Sequence, residues 1–186
     1  VLIRPTNIMI FILLFLWGVD SWNSLGERIR FFLHNFPKVL GMLFAFLLPW
    51  IPQFLYWKMI TGQLMYYSYG AHGDRFYFDN PHIIESLFSY QKGWLLYTPM
   101  MIFAIGGLIP LRKMIKGSTL SITLYLVGMV YVMSCWWTWW FGGGFGGRAY
   151  IDMYGILALP LAAFVAVILE HKRKIVRFGI SGLLLC

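Results

Sequence analysis

The sequence predicts an all-α fold, a polytopic bundle of transmembrane helices, and three observations carry that prediction. Hydrophobic residues make up 60% of the 186 residues and charged residues 12%, against about 25% charged in soluble domains; the mean hydropathy is +0.70. The charges that remain are spaced out, leaving uncharged stretches close to the roughly 20 residues with which a helix crosses a bilayer. Runs such as Ile8 to Leu16 are apolar all round, without period-two alternation. In hydrocarbon a helix satisfies its own backbone, so these runs read as helices and exclude a β-barrel.

An ionisable group at the bilayer centre costs at least about 2.5 kcal/mol, so the uncharged intervals delimit the elements. They give five spans, at 5–19, 39–57, 93–111, 119–138 and 153–169, and an incomplete sixth at 178–186. Pro49, Pro52 and Pro99 are expected to kink the second and third spans. Gly106, Gly107, Ala158, Ala162 and Ala163 are small enough to let helices approach closely. Between the first two spans Trp22, Leu25, Ile29, Phe32 and Phe36 recur at steps of three and four, with Glu27, Arg28, Arg30 and Asn35 elsewhere on the turn. Residues 21–36 therefore read as an amphipathic helix lying in the membrane interface, with a partner-binding helix as the alternative. A single transmembrane domain is expected, a stretch of a longer chain with no secretory leader at its start.

Lys and Arg sort by side. Arg28, Arg30, Lys38, Arg112, Lys113, Lys116, Lys172, Arg173, Lys174 and Arg177 fall on one side of the predicted bundle; Arg4, Lys58, Arg75, Lys92 and Arg148 fall on the other. The more basic side is read as cytoplasmic, which turns the loops 58–92 and 139–152 outward. The net charge of +8 is thus a matter of topology and does not point to nucleic acid. Cys135 and Cys186 have neither metal spacing nor a disulfide framework, and no chemistry is assigned to them.

Two outward stretches carry the candidate chemistry. The first is rich in aromatics, among them Tyr66, Tyr67, Tyr69, Phe76, Tyr77 and Phe78; these suit sugar rings or lipid headgroups, or form an interfacial belt. His72, Asp74, Asp79 and His82 are candidate ligands for a divalent metal, although a surface role is commoner for such residues. The second, SCWWTWWFGGGFGGRAYIDMY at 134–154, combines four tryptophans with Gly142, Gly143, Gly144, Gly146 and Gly147 and then Arg148 and Asp152. Glycines let backbone turn sharply and leave N–H groups free for an anion. They lack GxGxxG spacing, so no nucleotide fold is implied. Arg148 is suited to fork onto a phosphate. If the fifth helix starts near Gly147, Asp152 sits one turn beyond Arg148 on the same face, where an ion pair is the structural alternative.

The block CWWTWWFGGGFGGRAYIDMYGILALPLA resembles the late Trp-Trp, Gly-Gly, Phe-Gly, Arg stretch of GT-C type polytopic membrane glycosyltransferases, relatives of the protein-mannosyltransferase superfamily. RPTN at 4–7, PQFLYWKMITGQLMYYSY at 52–69 and SLFSYQKGWLLYTPMMIFAIGGL at 86–108 are similar to bacterial proteins of this kind. Where such proteins often read Gly-Ser-Phe-Gly-Gln-Arg, this chain has Gly144 and Gly147, and where they have Tyr-Pro it has Tyr154 and Gly155. Side-chain contacts near Arg148 are thereby replaced by backbone.

The resemblance implies sugar transfer from a polyprenyl-phosphate carrier to an acceptor on the outer face, in a bacterial inner membrane. Arg148, with Asp152 as its partner, and Gly143 and Gly144 would hold the carrier phosphate, while Trp139, Trp140 and Tyr150 would line the sugar path. The family's acidic base is expected in an outer loop before Val1, so no catalytic residue is assigned here. A transporter or flippase of lipid-linked glycan, or a non-catalytic membrane subunit, remains the alternative.

Overall fold

The structure, a computed structural model, describes residues 5–66 and 75–183, with side chains described up to residue 171. Among the described residues every extended element is helical; one isolated bridge, Phe76 to Trp136, is the exception. The chain opens with a 3-10 turn, Pro5–Ile10, running into α1 (Phe11–Leu16). It reverses at Gly18, whose φ of +84° suits glycine. The amphipathic helix is α2 (Trp22–His34), and a capping box starts it: the Ser21 hydroxyl accepts from the Ser24 N–H while the Ser24 hydroxyl accepts from the Ser21 N–H.

The predicted second span is a bent pair, α3 (Phe36–Leu47) and α4 (Trp50–Thr61), angled by 40° beside Pro49. The third is in pieces: α6 (Trp94–Tyr97), α7 (Met100–Gly106) and α8 (Leu108–Met114), with the short α5 (Ile83–Phe88) ahead of them. Pro99 explains the first break, because it pushes the preceding residue out of the helical region; Thr98 has φ −134° and ψ 64°. The second falls at Gly107. Then follow α9 (Ser118–Ser134), a 3-10 turn Arg148–Met153 and α10 (Tyr154–Leu183). The interval predicted between a fifth and a sixth segment, 170–177, is continuous helix within α10. Its residues, Glu170 to Arg177, hold no proline or glycine and include good helix formers.

The core lies where α10 packs on α7 and α8 and where α9 packs on α1, α5 and α8. Trp94, Leu111, Ile122, Met129, Met153 and Leu157 are fully enclosed there. Of the predicted small residues, Gly107 and Ala163 lie buried and Gly106 half-buried in the α7–α10 seam, while Ala158 and Ala162 are exposed. By contrast, α2, α3 and α4 bury no residue fully, and Phe44 and Met59 are 66% and 86% exposed. Arg148–His171 is by itself long and apolar enough to cross a membrane, and the α3–α4 pair is so if taken as one bent span. The thin burial of Arg148–His171, 22% of its most apolar stretch, is opposite to that of a soluble protein's core helix.

Candidate anion site on a glycine turn

The two loops predicted to face outward are brought together by the end of α9. A helix terminus leaves its last carbonyls without intrahelical donors. Here the Tyr77 N–H donates to the Cys135 carbonyl at 2.6 Å and the His82 N–H to the Ser134 carbonyl at 2.9 Å. Trp137 N–H reaches the Arg75 carbonyl at 3.1 Å, and the Tyr131 hydroxyl donates to the Phe78 carbonyl at 2.8 Å. Phe76 rests edge-on against Trp136, 4.7 Å between centroids, and stacks on Phe78 at 5.5 Å. The loop 75–82 is therefore fastened along the α9 terminus.

Beyond it the chain makes the glycine turn. Phe141, Gly142 and Gly146 have φ of +51°, +73° and +56°, so glycine at two of these three positions relieves a conformation other residues resist. Arg148 folds back over the turn: a Cβ at Gly144 would lie 3.0 Å from its Cδ, and one at Gly142 would lie 3.9 Å from its Nη2. The Lys92 ammonium donates to the Gly142 carbonyl. Two cations fifty residues or more apart thus meet at one glycine.

The base of the turn is closely packed. A Cβ at Gly146 would meet Tyr97 Cβ at 3.0 Å, and one at Gly147 would meet Trp94 Cβ and Tyr150 Cδ2, each at 3.0 Å. Trp94 stacks on Tyr150 at 4.8 Å, and the Tyr150 and Ser86 hydroxyls share a hydrogen bond. The Tyr154 hydroxyl accepts from Trp94 Nε1 at 3.2 Å and shares a second 3.2 Å bond with the Thr98 hydroxyl. Above this base, Phe145 is 84% exposed and sits edge-on to Tyr97, whose hydroxyl donates to the carbonyl of the exposed Tyr90 at 2.6 Å.

Arg148 is exposed and lies against Gly144 and Gly142, while a Cβ at Gly143 would meet nothing within 4 Å. Trp139 and Trp140 are half-buried and packed edge-to-face at 5.7 Å, with the His82 ring 6.3 Å from Trp139. Tyr150 differs from expectation. It is 2% exposed and supports the turn from beneath, so it is not an open wall of a sugar path. Among the described residues no ion pair of Arg148 with Asp152, the structural alternative, is formed. The segment that carries them is 3-10, with about three residues per turn, and a residue four positions on is rotated by about 120° from the first. Asp152, also exposed, instead lies within electrostatic range of Tyr125 on α9.

Of the four candidate metal ligands, His72 and Asp74 lie outside the described residues, as do Tyr67 and Tyr69. His82 faces Glu85 at 4.0 Å, and among the described residues no three His, Cys, Asp or Glu side chains converge. Lys92 is the residue that sequence reasoning passed over. Its position just before an uncharged interval marked it only as a topological charge. Comparison with protein-family models, with curated proteins and with solved structures finds no match.

The base of the turn can be tested apart from any ligand. Tyr150→Phe strips the nearly inaccessible Ser86 hydroxyl of its partner, which costs about 1–3 kcal/mol for a buried polar group left unpaired. A lowered midpoint of thermal unfolding in detergent is the expected result; an unchanged midpoint removes the hydrogen bond from the argument.

Proposed function

We propose that this chain belongs to the membrane domain of a polytopic glycosyltransferase of the GT-C type, which takes a sugar from a polyprenyl-phosphate carrier on the outer face of a bacterial inner membrane. One observation carries the reading: Lys92 and Arg148 both reach Gly142 in a solvent-open turn. Two cations beside side-chain-free backbone are what an oxyanion with several acceptor oxygens needs. Arg148 supplies the planar fork and Lys92 a point charge. Trp139 and Trp140, packed edge-to-face just before the glycines in the chain, serve the sugar.

In this reading five spans cross the bilayer, α10 among them, with the kinked α3–α4 pair and the broken α6–α8 run each counted as one. Helices broken at Pro and Gly are tolerated in membranes where neighbours and water satisfy the freed backbone. Several observations support lipid as the surrounding medium: α3 and α4 are apolar and almost wholly exposed, and α10 is apolar with little of it buried. The chain's part in the reaction is to hold and orient the carrier; the proton transfer is assigned to no residue here.

The topology has its own test. A membrane-impermeant thiol reagent is expected to label a cysteine placed at Gly143 in intact cells and to miss one placed at Lys116 until the membrane is opened. Labelling in the reverse order overturns the outward site.

A further inference from the structure

At the end of the bundle opposite the glycine turn, two backbone segments touch that only glycines allow to touch. The Gly18 N–H donates to the Gly117 carbonyl at 3.0 Å, and a Cβ on Gly117 would fall 2.4 Å from the Gly18 carbonyl carbon. This contact locks the α1–α2 turn against the α8–α9 turn. Basic residues from distant parts of the chain gather around it. The Arg28 guanidinium donates to the Trp17 carbonyl, lies 3.9 Å from where a Gly18 Cβ would stand and covers the Phe32 ring at 5.8 Å. Lys116 adjoins Gly117, and Arg112 and Lys113 end α8 on the same side; all three are exposed.

The helix beside this cluster has an apolar face that the protein leaves partly bare. Leu25 and Phe32 are half-buried, Phe32 against Phe15 at 5.0 Å. On the same arc Trp22 is 87% exposed and Leu33 69%. A helix with a bare apolar arc, a basic flank and an exposed tryptophan lies in a headgroup layer, and several Lys and Arg beside it favour anionic headgroups over neutral ones. The acids at this end are Asp20, which accepts from the Ser24 hydroxyl at 3.1 Å, Glu27 and, late in α10, Glu170. They are outnumbered by Arg28, Arg30, Lys38, Arg112, Lys113 and Lys116.

We propose that α2 and the α8–α9 turn, joined at Gly18 and Gly117, form a docking surface for the headgroups of anionic phospholipids, with Arg28 and Lys116 at its centre. It rests on the membrane reading above but not on sugar transfer. The full chain is reconstituted in vesicles of phosphatidylcholine with and without phosphatidylglycerol, and the lipid that stays with it on gentle extraction is measured. Phosphatidylglycerol is expected to be enriched. R28Q with K116Q lowers the enrichment by about fivefold per charge removed, high salt lowers it likewise, and K58Q, on the opposite face, leaves it unchanged. R28K with K116R, which keeps the charges, retains it, and circular dichroism checks that each variant is folded. Equal retention of the two lipids by the native chain, or native enrichment in the folded R28Q/K116Q variant, overturns the docking surface alone. A chain that enters neither kind of vesicle overturns the membrane reading and this inference with it.

Discussion

Arg148→Ala is expected to weaken binding of a polyprenyl-phosphate carrier by roughly ten- to a hundredfold. The estimate follows from the loss of charge-assisted hydrogen bonds worth about 1.5–3 kcal/mol. Arg148→Lys keeps the charge but loses the fork, so it falls between native and alanine. Lys92→Ala has a smaller effect, because Lys92 spends one donor on the Gly142 carbonyl. The more telling variant leaves both cations in place. Gly144→Val puts branched carbon where a Cβ alone would already stand 3.0 Å from Arg148 Cδ, so the guanidinium is displaced from the turn and affinity drops although no charge is lost. Carrier binding to the full-length protein, read by quenching of the neighbouring tryptophans or by retention of labelled lipid, separates these cases. If Arg148→Ala binds the carrier as the native chain does, the turn is not its phosphate site.

What the sequence allows one to read, and what it hides, divides along physical lines. Local signals survive: the three-four stepping of Trp22, Leu25, Ile29 and Phe32 places α2 to within a residue or two, and Pro99 forecasts the break after α6. Charges mislead in one respect. They mark where a chain leaves hydrocarbon, not where a helix stops, so α10 runs through Glu170 to Arg177 unbroken. The site was half legible. Arg148 and its glycines are contiguous and stand out, whereas Lys92 reaches the same peptide across fifty residues of chain, a meeting made by tertiary packing of Trp94 on Tyr150. Placing Asp152 one turn beyond Arg148 on the same face takes the segment as α-helical from Gly147, and it starts instead as a 3-10 turn. No pattern of residue types at 148–153 announces three residues per turn in place of 3.6.

The largest loss of stability is expected at Gly107, and its neighbour supplies the control. Gly107 ends α7 in ordinary helical conformation, φ −67°, so glycine is not needed there for its backbone freedom. It is needed for its size. A Cβ at Gly107 would fall 1.8 Å from the Pro160 carbonyl oxygen and 2.6 Å from the carbonyl carbon behind it. Both are backbone atoms of α10, which cannot swing aside as a side chain does, so α10 must move away from α7 and α8, the helices it packs against most extensively. Overpacking of a seam costs about 1–3 kcal/mol and more when backbone must shift, so Gly107→Ala lies at the upper end of that range and Gly107→Val beyond it. At Gly106, one residue earlier, a Cβ would rest 3.8 Å from the Phe164 ring, an ordinary contact. Alanine there removes a glycine from a helix end, where its propensity penalty of about 1 kcal/mol is only partly felt, and is expected to be neutral or mildly stabilising. Thermal unfolding of the two variants in the same detergent decides the matter. If Gly106→Ala and Gly107→Ala melt together, the close approach of α7 and α10 at Pro160 does not hold the bundle.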